Sequence, residues 1–220
     1  MSRFDAVIFD WSGTLVHDPP LRDRVAGTFS KLERSDEGDV NEVCAALLAC
    51  ESDPDIVAAQ VGADTSRAAY DAAESLHFQR AGLDADLAAA LLRFDEHLES
   101  RPMYPDAVLV LAQLASLGSR VIVLSDIHFD LRPMLDLQGA GEYIDDYVLS
   151  FEHGIQKPDP RIFELALGRS GLDRSKTLMV GDRSTHDGAA TESGITTLLL
   201  PPLASFGPRG LSLVSSMISD

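Results

Sequence analysis

Residues 3–15 read RFDAVIFDWSGTL, and this stretch decides the fold. Residues 3–11 form an alternating-to-continuous apolar run, the mark of a buried strand, and Ser12-Gly13 ends it. Four later runs resemble it: VIVLSD (121–126), YVLSF (147–151), TLMVGD (177–182) and TTLLLP (196–201). Helical patterns fill the spaces between them at 106–117, 130–138, 160–169 and 187–193, each closing at or near a glycine. Strands that alternate with helices must be joined by right-handed crossovers. The predicted fold class is therefore α/β, a parallel sheet with helices on both faces, and such a sheet needs strands apolar throughout.

One stretch breaks the alternation. Residues 16–101 show no strand pattern but carry apolar residues at three and four spacing over 41–50, 64–81 and 85–99. DPPLRD (18–23) and RPMYPD (101–106) read as the linkers out and back. The expectation is a helical domain, 16–101, inserted into a core made of 1–15 and 102–220. GLSLVSSMISD at the C-terminus reads as a last short helix.

With 220 residues, 45% hydrophobic and 24% charged, the chain lies in the globular range. Eighteen Lys+Arg against 35 Asp+Glu give a net charge of −17, a field that repels nucleic-acid backbones and anionic lipid and argues against both as main partners. Cys44 and Cys50 are too few for a disulfide framework and read as reduced thiols on a helix. No run approaches the ~20 apolar residues of a membrane span, and acids interrupt the N-terminal segment. A soluble, cytoplasmic protein is expected; its oligomeric state is not legible.

In an open parallel sheet, functional groups gather beyond the carboxyl ends of the strands. The first strand ends in Asp10-Trp11-Ser12-Gly13-Thr14, the second in Ser125-Asp126 and the fourth in Gly181-Asp182, with Asp187 five residues on; a loop carries Lys157-Pro158-Asp159-Pro160. Singly, these residues have plainer readings. Asp10 or Asp182 could be a turn carboxylate, Ser125 a helix cap and Lys157 an exposed loop charge. A D-x-x-G-T match arises by chance only roughly 0.06 times in a chain of this composition. Finding it at the end of the first strand, followed in order by the other three signals, makes coincidence far rarer.

In this order and spacing the chain resembles the haloacid dehalogenase superfamily, with 9–15, 121–126, 157–163 and 180–188 as its four motifs and the helical insertion as its cap. The resemblance implies a flavodoxin-like Rossmannoid core, a cap that closes over substrate, Mg²⁺, and hydrolysis of a small phosphorylated metabolite through an aspartyl-phosphate. A phosphoryl group passing between two oxygens needs an in-line nucleophile and neutralisation of its spreading charge. Asp10 would attack. Asp10, Asp182 and the backbone carbonyl of Ser12 would be the protein ligands of Mg²⁺, with Asp187 orienting metal-bound water or Lys157. Lys157 and Ser125 would hold phosphate oxygens, with Gly13, Thr14 and Asp126 beside them.

Position 12 departs from the phosphatase pattern, which places an aspartate there as acid and base. A serine hydroxyl cannot cycle protons near neutral pH, so slow or substrate-restricted turnover is expected, or a substitute carrier among His17, His128 and Asp126. The departure leaves two further readings open. DWSGT resembles the DWAGT of phosphonoacetaldehyde hydrolases, which need a cap lysine, and Lys31 is the only one. A phosphometabolite-binding module that turns nothing over is the other. A haloacid dehalogenase proper fits less well, since those enzymes carry Tyr where Ser12 stands and lack the acid at Asp182. Phe29, His77, Phe78 and Arg80 are the candidates for substrate selection from the insertion.

Overall fold

The computed structural model describes residues 3–34, 36–203 and 205–219. Strands β1 (Ala6–Phe9), β2 (Arg120–Ser125), β3 (Asp146–Leu149), β4 (Thr177–Gly181) and β5 (Thr196–Leu199) form one parallel sheet in the order β3-β2-β1-β4-β5. The chain runs outward from β1 to β3, then crosses back to place β4 on the other side of β1. The order therefore reverses between β1 and β4, where an open sheet leaves a crevice at its carboxyl edge.

Period-two side chains make the two layers. Val7, Phe9, Val121, Val123 and Val180 point into one core with α6 (Ala107–Ser116), α7 (Arg132–Leu137) and α10 (Ser212–Ser219). Ala6, Ile8, Ile122, Leu124 and Met179 point into the other, against Ile162, Phe163 and Ala166 of α9 (Pro160–Ser170). Full burial of each large side chain contributes about 1.5–3 kcal/mol, so the three central strands anchor everything attached to their ends. Capping sets where α9 begins and stops: the Asp159 carboxylate accepts from Arg161 N–H, and Gly171 closes the helix in the left-handed region.

Helices fill most of the stretch from Leu21 to Ser100. Helices α1 (Leu21–Lys31), α2 (Glu37–Cys50), α3 (Pro54–Gln60), α4 (Arg67–Arg80) and α5 (Ala85–Leu92) enclose their own core of Val25, Phe29, Val40, Leu47, Phe78, Leu87 and Leu91. The side chains of Asp36, Asp53, Ser66 and Asp84 cap α2 to α5. This helical unit hangs on two adjacent strands of chain: His17 N–H donates to Pro102 O at 2.8 Å, and Tyr104 N–H donates to Leu15 O at 3.0 Å. Cys44 and Cys50 are free thiols on α2. Among the described residues, no helix is long and apolar enough to cross a membrane.

Several boundaries differ from the periodicity. Helix α1 was not resolved by pattern, because it starts without a side-chain cap and buries only Val25, Thr28 and Phe29. Segment 64–81 divides at the Ser66 cap into a 3-10 turn, Ala63–Thr65, and α4. Segment 85–99 ends as a helix at Leu92, and the 3-10 turns Phe94–Glu96 and Leu98–Ser100 follow it. Residues 187–193 form a 3-10 helix rather than an α-helix.

Candidate active site

The chain turns sharply as it leaves β1. Asp10 N–H still donates to Val180 O at 2.9 Å, but the next amides fold back, and Leu15 N–H and Val16 N–H both reach Trp11 O. Gly13 makes that turn with φ +75°, and a Cβ there would collide with the Asp182 carboxylate. Gly181 serves the same purpose on β4, since a Cβ at that position would occupy the space of the Asp187 carboxylate. Both glycines are there to let acids approach backbone.

The acids converge on one lysine. Lys157 Nζ, fully buried, donates to Asp10 Oδ1 at 2.7 Å, Asp187 Oδ1 at 2.6 Å and Leu124 O at 3.3 Å, so its three protons are all used. Asp126 Oδ1 fixes the lysine's own backbone by accepting Lys157 N–H at 2.8 Å. Asp187 spends its second oxygen on the amides of Asp182 and Arg183, at 3.0 and 2.9 Å. Carboxylate oxygens of Asp10, Asp182 and Asp187 lie within 4.8 Å of one another. Thr14 Oγ1 donates to Asp182 Oδ1 at 3.5 Å, and Ser125, buried beside Asp126, has its Oγ 3.5 Å from the Asp126 carbonyl.

This cluster has more negative charge than it can balance. Burial raises the Asp10 carboxyl, against the pull of Lys157 and with a further push from Asp187. Burial raises Asp182, and Asp187 adds to it; burial raises Asp126 despite Lys157. Lys157 is driven above its usual value by the same acids, although burial alone would lower it. Hard oxygen donors that crowd one another in this way fit a divalent, oxygen-seeking cation of the Mg²⁺ type.

Ser12 does not face the cluster alone. Its Oγ accepts from Arg101 Nη1 at 2.7 Å, and the same guanidinium pairs with Asp18 and, at 2.8 Å, with Asp95. Arg101 also lies over the Trp11 ring at 5.7 Å. Nothing in the sequence singles out Arg101, an arginine in a Pro-rich linker, or Arg209, which is buried and donates through Nε to Gly13 O at 2.6 Å. Neither had a motif signal.

The histidines separate by place. His17 packs edge-on against Phe206 (5.3 Å) and Tyr104 (6.2 Å). It lines a cavity of about 470 Å³ that also reaches Gly13, Asp182 and Arg209. His186 is held by Arg183 and Thr185, and burial together with Arg183 pushes it down to about 4, so it stays neutral. His128 is buried against the helical unit. Lys31 is exposed on the last turn of α1, its Nζ 5.9 Å from the Phe94 ring centroid. A second cavity, of about 490 Å³, lies among α1 to α5; Phe78 and His77 line it but no strand-end residue does, so it is separate from this cluster.

A family profile described as haloacid dehalogenase-like hydrolase matches residues 4–194. The phosphoglycolate phosphatase of Rhodospirillum rubrum is 30% identical over 215 residues, covering 92% of this chain and 84% of that protein. The ribulose-1,5-bisphosphate 5-phosphatase of Halopiger xanaduensis is 28% identical, covering 90% and 84%. The crystal structure of the L-2-haloacid dehalogenase RSc1362 superposes over the full length of both chains with a TM-score of 0.71 at 20% identity, a likeness of fold. An acid at the end of the first strand, a lysine held between two carboxylates and a family match spanning most of the chain lead to one conclusion: the protein is an enzyme of the haloacid dehalogenase-like hydrolases.

Proposed function

We propose that the enzyme is a Mg²⁺-dependent phosphomonoester hydrolase that works through an aspartyl-phosphate on Asp10. The observation that carries this reading is the Asp10 carboxylate itself. It is buried at the switch point of the sheet, one oxygen is fixed by Lys157, and among the described residues Oδ2 makes no hydrogen bond and is available for attack.

Asp10, Asp182 and the Ser12 carbonyl would hold Mg²⁺, which when bound supplies positive charge to the phosphate oxygens. The chain's own groups do the rest. Lys157 aims Asp10 and draws it toward the ionised form against the effect of burial, and Asp187 keeps Lys157 in place by its 2.6 Å ion pair. Ser125, Gly13 and Thr14 line the phosphate position, with Asp126 fixing the lysine loop. Residues 16–101 act as a cap over the strand ends of a core formed by 1–15 and 102–220, and exclude water from the reacting phosphate. A small monophosphate fits a chain of net charge −17 better than a polyanion, because capture works against the overall field.

No observation favours a Schiff-base reaction. Lys31 is exposed over Phe94, and Lys157 has all three protons committed. A time course of p-nitrophenyl phosphate cleavage with and without Mg²⁺ tests the proposal. Sustained Mg²⁺-dependent turnover, lost by about 10⁴-fold or more in Asp10→Asn, is expected. Mg²⁺-dependent binding of a phosphate ester without hydrolysis would instead identify a binding module.

A further inference from the structure

We propose that His128, oriented by Asp64 from the helical unit, is the proton carrier that position 12 does not supply; this rests on the phosphatase reading above. Position 12 is closed to the task. Ser12 Oγ is held by Arg101, a guanidinium that does not deprotonate in proteins, and Arg101 is itself paired with Asp18 and Asp95. The proton must come from elsewhere.

His128 lies three residues after the β2 terminus and is buried, with a side-chain exposure of 2%. Its Nδ1 lies 3.2 Å from Asp64 Oδ1, which places the proton on Nδ1 and leaves Nε2 as the working nitrogen. Nε2 is buried and has no partner among the described residues. A buried imidazole nitrogen without a partner marks a place where a ligand atom or water completes the bond. The ring is held flat: Tyr70 of α4 stacks on it at 3.3 Å and 7°, and Phe129 meets its edge at 5.1 Å. Phe129 in turn meets Trp11, next to the nucleophile, at 6.1 Å.

The two halves of the dyad come from different units, and a clamp joins them. Ser150 Oγ donates to Asp64 O at 2.6 Å and accepts Ile127 N–H at 2.8 Å, tying the 3-10 turn of the helical unit to the loop that carries His128. Asp64 and Tyr70 thus reach the imidazole only when the helical unit sits on the strand ends, so the carrier is oriented only over a closed site. In the first half-reaction the Asp10 oxygen bonds to phosphorus and the P–O bond to the leaving group breaks; the imidazolium gives its Nε2 proton to the leaving oxygen. In the second, neutral Nε2 takes a proton from water as the water oxygen bonds to phosphorus and the Asp10–phosphorus bond breaks. Alcohol and phosphate leave, and His128 returns to its starting state.

Asp126, whose Oδ2 is likewise buried and unpartnered, is the competing carrier, but its other oxygen is committed to Lys157 N–H and no group sets its proton. The test compares phenyl phosphate, whose leaving group ionises near about 10 as tyrosine does, with p-nitrophenyl phosphate, which needs little acid help. For His128→Gln we expect kcat/KM on phenyl phosphate to fall by about 10²–10⁴-fold while p-nitrophenyl phosphate falls by less than about 10-fold. A stoichiometric burst of p-nitrophenolate should precede a slow steady state. Asp64→Asn should show the same leaving-group selectivity with a smaller loss, and imidazole should restore phenyl phosphate turnover to His128→Ala.

Equal losses on both esters would show a structural role and overturn the proposal, as would no loss, or a selective loss in Asp126→Asn instead. If wild type turns over and Asp10→Asn does not, these outcomes sink the proton carrier alone. If Asp10→Asn keeps full turnover, the aspartyl-phosphate reading fails with it.

Discussion

Two charge clusters meet at this site and are built on opposite principles. At the strand ends, Asp10, Asp126, Asp182 and Asp187 gather around the buried ammonium of Lys157, and burial raises the first three. At the neck of the helical unit, Asp95 and Asp18 face Arg101, and Arg24 stands 3.6 Å from Asp95. Burial would raise Asp95 too, but Arg101 and then Arg24 overcome it and hold the carboxyl below the usual range. One cluster is short of positive charge and the other is balanced. The first could be completed by a cation or a proton, whereas the second pairs its charges, leaves Arg24 Nε, Asp95 Oδ1 and Arg101 Nε buried without hydrogen-bond partners, and joins the helical unit to the core.

The comparison breaks most visibly at Lys157. Lys157→Met removes the only ammonium from the strand-end cluster and leaves Asp10 and Asp187 facing each other buried. We expect about 3–5 kcal/mol of stability to be lost near neutral pH, with turnover abolished. The sign with pH follows from the raised acids: a carboxyl whose folded pKa lies above its unfolded value contributes stability at low pH that is lost as pH rises through the folded value. Urea denaturation of the variant should therefore show it recovering toward wild type as pH falls below neutrality. Mg²⁺ should stabilise it more than it stabilises the wild type.

The neck should respond less and in the other direction. Asp95→Asn keeps the shape but removes the charge that faces Arg101 and Arg24, and Arg101 retains Asp18, so a loss of about 1–3 kcal/mol is expected. Because Asp95 is held below its ordinary value, its contribution is present above about pH 4 and is lost as pH falls through the lower folded value. Wild type and Asp95→Asn should thus converge in thermal midpoint in acid and separate above about pH 4. A difference that grows in acid would mean the cluster is not balanced as drawn.

The strand-end cluster is legible in the sequence because Asp10, Asp126 and Asp182 follow directly on strands whose apolar runs announce them, with Lys157 marked by its Lys-Pro-Asp-Pro loop. Asp10, Asp182 and Lys157 were found together for that reason, as was the parallel sheet. The neck was not legible. Arg101, Asp95 and Arg24 have no periodic or motif signal, and an arginine that ends up 6% exposed looks in the sequence like any solvated one. Helix α1 escaped for a related reason, since Pro20 precedes it without a capping side chain and Gly27 lies within it. Local chemistry marked what the sheet positions, while long-range pairing decided how the helical unit is attached.

The smallest effect sharpens the comparison most cleanly. Arg22 and Glu37 join α1 to α2 through a 2.9 Å ion pair, with side chains 52% and 85% exposed. Distance alone would rank it beside the 2.8 Å pair of Arg101 and Asp95, whose side chains are 7% and 10% exposed. Water screens the first pair, and ordering two long side chains offsets part of the attraction, so Arg22→Ala should cost no more than about 1 kcal/mol and fade with added salt. A double-mutant cycle on Arg22 and Glu37 should give a coupling of about 0.2–1 kcal/mol, and the cycle on Arg101 and Asp95 a larger one that salt leaves intact. Equal couplings would show that burial does not separate the two pairs and that the neck is no more fixed than the surface.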